Sequence, residues 1–116
     1  MTLRSWPAIA AILLLPQAAC AHALLQHADP GAGAVVHGAP PELRLEFSEA
    51  LEPASSGVTV TDDRGQVVSE GSPAVSDSAM MVRLKPLSPG EYRVRWHAVS
   101  IDLHRTEGRY SFSVAP

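Results

Sequence analysis

The chain has 116 residues, 46% of them hydrophobic and only 5% aromatic, with a formal net charge of -3 and one cysteine. The mildly acidic balance argues against a nucleic-acid partner. A lone cysteine excludes an internal disulfide and a multi-thiolate metal site, and the length allows one domain around one core.

Met1 to Pro7 carries a single charge, Arg4, and is followed by the apolar run Ala8–Leu15 and then by small residues in PQAACA. A basic start, a short apolar core and an Ala-x-Ala ending mark a secretory signal peptide. The run is too short to cross a bilayer, which takes about 20 apolar residues. Ala19-Cys20-Ala21 puts small residues where the peptidase reads. Cleavage after Ala21 makes residues 1–21 the leader and residues 22–116 the mature domain, with His22 first. Two other outcomes stand beside it. A frame of Ala21-His22-Ala23 starts the protein at Leu24, and Cys20 is a possible lipidation site, although Gln17 stands where an apolar residue is expected. Cleavage after Ala21 removes the cysteine and, with Arg4 gone, leaves a net charge of -4. No second apolar run follows, so the mature protein is expected to be soluble.

Short alternating runs then appear between prolines and glycines. The segment Asp29–Pro41 is rich in Gly, Ala and Pro and reads as a loop or irregular edge. Leu43, Leu45 and Phe47 alternate with polar residues, as do Val58 and Val60. Asp62-Asp63-Arg64-Gly65 reads as a turn, with Gln66–Glu70 as the returning strand. Met80–Leu84 is a further short run. After the turn Ser88-Pro89-Gly90, Tyr92, Val94, Trp96 and Ala98 share one face, opposite Arg93, Arg95 and His97. Tyr110, Phe112 and Val114 close the pattern. A two-residue period means one buried face per strand, and strands at this spacing point to an all-β sandwich. The expected core is Leu43, Leu45, Phe47, Val58, Val60, Leu84, Tyr92, Val94, Trp96, Tyr110, Phe112 and Val114.

The chemistry lies in the histidines. Ser100-Ile101-Asp102-Leu103-His104 leaves the strongest predicted strand. If that stretch is extended, Asp102 and His104 point the same way and converge on one point. The competing reading of Asp-x-His is a local hydrogen-bonded turn. A free N-terminal His22 adds an α-amine and a ring nitrogen, giving three nitrogens and one oxygen with Asp102 and His104. That set suits tetragonal Cu(II). The amine has to lose a proton, from an unperturbed pKa of roughly 7.7–8.0, so affinity is expected to fall in acid. His27, His37 and His97 read as surface residues, the last within reach of the site's neighbours. Met80 and Met81 are adjacent and face opposite ways, so they make no Cu(I) site. No nucleophile elbow and no phosphate-cradling glycine loop is present.

Four segments together resemble the CopC-like periplasmic copper-resistance proteins. They are the opening His22–Leu25 with Ala28–Gly33, the strand Pro41–Leu51 (PELRLEFSEAL), the strand Leu87–Val99 (LSPGEYRVRWHAV), and Ser100–His104 followed by Glu107-Gly108. The resemblance implies an Ig-like Greek-key β-sandwich or barrel of about seven strands. It implies one Cu(II) ion on His22, Asp102 and His104, with Glu49 nearby but not a ligand. Some family members carry a methionine-rich loop for Cu(I), which Val67–Met81 lacks. Some relatives work with a CopD-like inner-membrane copper transport protein, the partner the resemblance implies besides copper itself. The expectation is a monomeric, non-enzymatic periplasmic copper carrier or buffer. The alternative is a copper-dependent oxidative enzyme built on an N-terminal histidine brace; there Asp102 would occupy a position that oxygen chemistry needs.

Overall fold

The computed structural model describes residues 22–116; the proposed leader, 1–21, lies outside the described residues. The strands are β1 (Leu25–Asp29), β2 (Val35–His37), β3 (Glu42–Phe47), β4 (Gly57–Thr61), β5 (Ser69–Ser76), β6 (Ala79–Leu84), β7 (Gly90–Val99) and β8 (Arg105–Ala115). One 3-10 turn, Pro53–Ser55, links β3 to β4 and is capped by Glu52, whose carboxylate accepts from the Ala54 amide. Two four-stranded sheets result, ordered β1-β3-β6-β5 and β2-β8-β7-β4. The expected all-β sandwich is borne out, with eight strands among the described residues.

The alternating residues fill the space between the sheets. Leu43, Leu45, Val60 and Val94 are fully buried, while Arg93 and Arg95 on the other face of β7 stay exposed. Phe47 of one sheet meets Trp96 of the other edge-on, with ring centroids 5.1 Å apart. Each fully buried aliphatic side chain of this kind stabilises the fold by roughly 1.5–3 kcal/mol. Eleven of the twelve expected core residues are buried. Tyr110 is partly buried; its ring packs on the core and its hydroxyl donates to the Pro30 carbonyl at 2.7 Å. Burial, and after it the charge of Asp29, pushes the Tyr110 phenol well above its ordinary range. Met80 and Val82 join the core, with Met81 turned away from it, so the two methionines do face opposite ways.

Two elements differ from the sequence reading. Gln66–Glu70 does not form a strand returning along β4. The return is short: a Thr61–Val67 bridge and backbone bonds from Asp62 to Gln66 and from Val68 to Val60, after which β5 pairs with β6 in the opposite sheet. The buried Ser69 hydroxyl accepts from the Val60 amide at 3.0 Å, so a side chain takes the place of the next ladder bond as the chain changes layers. The Asp29–Pro41 segment carries β2, which pairs in parallel with β8 at the sheet edge.

Two glycines key β7 to its neighbours. Gly108 of β8 lies opposite Trp96, where an added Cβ would sit 2.5 Å from the indole Cζ2. Gly57 of β4 lies opposite His97, where an added Cβ would sit 2.7 Å from the imidazole Cε1. The indole occupies the inner face and the imidazole the outer one. On both faces a missing side chain makes room for a ring.

Candidate metal centre

The β7–β8 hairpin ends in a tight tip. The Ser100 amide donates to the His104 carbonyl at 2.9 Å and the Leu103 amide to the Ser100 carbonyl at 2.8 Å. Leu103 adopts a left-handed conformation, φ 71°. A turn followed by one left-handed residue is a regular way to close a short hairpin loop. Asp102 and His104 therefore do not converge because the stretch is extended; that expectation is corrected. They converge because the loop is a hydrogen-bonded turn. The Ser100 hydroxyl donates to one Asp102 oxygen, and the other lies 3.2 Å from His104 Nδ1. The Ser100 hydroxyl, then the His104 ring, hold the Asp102 carboxyl below the usual carboxylate range. With Nδ1 facing the carboxylate, His104 has Nε2 left for another partner.

His22 reaches the tip from the far end of the chain. The next residue, Ala23, is fully buried, and its carbonyl accepts from the Thr106 hydroxyl at 2.6 Å. The His22 carbonyl accepts from the Ser48 hydroxyl at 3.2 Å, and that hydroxyl oxygen in turn accepts from the Leu24 amide at 2.8 Å. The segment from His22 to Leu24 is thus strapped between the end of β3 and the start of β8. The His22 and His104 rings lie with centroids 5.0 Å apart at 48°. The three residues singled out in the sequence, His22, Asp102 and His104, come together at one edge of the sandwich.

Among the described residues, no three His, Cys, Asp or Glu side chains are close enough to enclose an ion by themselves. Two imidazoles and a carboxylate bound to one of them form an incomplete set. The backbone nitrogen of His22 is a peptide amide in the full chain. The donor types remain neutral nitrogen and carboxylate oxygen, with no sulfur.

The other candidates fall elsewhere. Glu49 is exposed just beyond β3. His97 is half-buried over Gly57 on the outer face of β7, and His27 and His37 are exposed. Sequence reasoning missed Ser48, Ser100 and Thr106, which position the site without belonging to it. Ser100 had a local signal in its spacing from Asp102; Ser48 and Thr106 had none, because their partners lie 26 and 83 residues away.

Comparison with known proteins matches residues 25–115 to the CopC domain. The chain is 36% identical to Protein YobA of Escherichia coli strain K12 over 97% of its own length and 94% of that protein's. It is also 36% identical to copper resistance protein C of Xanthomonas campestris pv. juglandis, across 87% of this chain and 86% of that one. The crystal structure of CopC from Methylosinus trichosporium OB3b superposes with a TM-score of 0.73 at 32% identity, covering 82% of this chain and 95% of that one. On the domain match, the sequence relatives and the shared fold, the chain belongs to the CopC family.

Proposed function

We propose that this protein is a periplasmic carrier or buffer of Cu(II), exported by residues 1–21 and active as residues 22–116. The ion is its cargo, held one per chain by the amine and ring of His22, the Asp102 carboxylate and the His104 imidazole. The observation that carries the reading is the strap that brings His22 against His104, since a chain start with no task has no reason to be pinned beside an Asp–His turn. Its similarity to copper resistance protein C supports copper as the cargo. Three nitrogens and one oxygen suit the tetragonal preference of Cu(II) better than tetrahedral zinc.

The chain's own residues divide the work. The His22 amine and ring chelate as a pair because they share one Cα. Ser100 keeps Asp102 ionised and Asp102 orients His104, so the tip presents a carboxylate and a fixed tautomer. Thr106 and Ser48 hold the chain start in register with the tip. The test is an intact-mass measurement of the exported protein together with a Cu(II) titration followed by electron paramagnetic resonance. A chain beginning at His22, binding one Cu(II) with a nitrogen-rich spectrum that His104→Ala abolishes, is the expected result. A start at Leu24, a lipid on Cys20, or binding indifferent to His104 overturns it.

A further inference from the structure

The outer face of β7 and β8 carries Arg93, Arg95, Arg105 and Arg109, four of the chain's nine basic residues, on a protein whose net charge is negative. Arg95 and Arg109 stand directly opposite each other in the ladder. Opposed positions bring Cβ atoms to about 4.5–5.5 Å, and like charges there are destabilising. Nothing in register relieves the pair, because Arg95 has Thr59 on its other side. Among the described residues neither arginine makes an ion pair, whereas Arg105 is paired with Glu107 at 3.4 Å. Around the pair lies a cleft of about 450 Å³ lined by Arg95, His97, Arg105, Glu107 and Arg109. His97 forms its wall with a ring seated over Gly57. A space of this size fits a small molecule. Two unneutralised guanidinium forks facing it fit the oxygens of a carboxylate or phosphate group.

We infer that this cleft binds a soluble multivalent oxyanion, a polycarboxylate or a phosphate, between Arg95 and Arg109. The anion supplies the charge that the ladder lacks, and the concave, half-open shape of the cleft and its volume of about 450 Å³ suit a small free anion better than a flat lipid surface. The site is separate from the His22–His104 edge, although Arg105 follows His104 directly in the chain.

The probes are citrate and inorganic phosphate, titrated calorimetrically into the metal-free exported protein at fixed ionic strength in chloride. Saturable binding of at least one probe is expected, weakened about tenfold or more by Arg95→Gln and by Arg109→Gln. Arg44→Gln, on the other sheet, leaves it unchanged. Amide shifts in the wild-type protein are expected at residues 93–97 and 105–109, a readout independent of any variant. In melts without anion, Arg95→Gln is expected to be at least as stable as wild type, since a repulsion has been removed. No saturable binding of either probe, binding that both arginine variants retain, or shifts confined to other strands overturns the site. Sedimentation with phosphatidylglycerol vesicles separates the sources. Protein carried down and not released by citrate overturns the free-anion assignment; protein left in solution, or released by citrate, supports it.

Discussion

The two halves of the proposed copper site are built in opposite ways. Asp102 and His104 are arranged by bonds that stay within five residues, from Ser100 to His104. His22 is arranged by Thr106 and Ser48, each distant in sequence and brought near only by the finished sandwich. The local half can form as soon as the hairpin closes, whereas the remote half requires both sheets to be packed. A single binding event therefore reports on a turn and on a whole fold together.

The largest effect expected is loss of the chelate itself. Adding one alanine before His22 in the exported protein converts the amine to an amide, and Cu(II) affinity measured by competition with a chelator is expected to fall by at least about a hundredfold. The same extension leaves the melting temperature of the metal-free protein unchanged. An unchanged affinity would mean that the remote half contributes only its ring.

Next comes the strap. Thr106→Val keeps the shape but leaves the buried Ala23 carbonyl without its donor, at a cost of about 1–3 kcal/mol. Copper affinity is expected to drop by about tenfold while the spectrum of the bound ion is retained, because no ligand is touched. If stability falls and affinity does not, the strap holds the fold and not the site.

Ser100→Ala acts on the local half and reads out in pH. Asp102 is held below its ordinary range chiefly by the Ser100 hydroxyl, so its ionised form persists as pH falls through the usual carboxylate range. Without that hydroxyl its pKa rises, and the acid limb of the copper-affinity profile is expected to move to higher pH. A profile that does not move assigns the acid limb to the imidazoles and the amine alone.

The smallest effect belongs to Leu103, which is 75% exposed and left-handed at φ 71°. A left-handed non-glycine residue costs roughly 1–2 kcal/mol, part of which glycine returns as unfolded-state entropy. Leu103→Gly is therefore expected to raise the melting temperature slightly, with copper affinity unchanged. A fall in stability would show that the exposed leucine makes a contact worth more than its strain.

The same division explains what could be read from the sequence. Leu43–Phe47, Val58–Val60, Tyr92–Ala98 and Tyr110–Val114 advertise themselves because each strand has one wet face, which forces alternation. β1 and β2 carry no such signal: they are short edge strands held by pairing and by bonds such as Gly33 to the Ser111 carbonyl. β5 contains Ser, Glu, Gly and Pro with a break in register, and its membership of the β6 sheet is a property of topology. Asp102 and His104 were legible as a pair, though through the wrong backbone shape. His22 was legible only through its place after Ala21, and its nearness to His104 needed the fold.

The glycines opposite Trp96 and His97 carry a mechanical consequence. Sliding β7 by two residues would keep every side chain on its proper face, the kind of slip that alternation alone cannot forbid. It would also drive the indole into a neighbour that has a Cβ, since the residues two away from Gly108 are Thr106 and Tyr110. The sheet is thus indexed like a gear with one tooth removed, and only one meshing is allowed. The hairpin tip consequently sits at a fixed height beside His22, so in the proposed site capture of an ion needs no search for alignment and little ordering entropy.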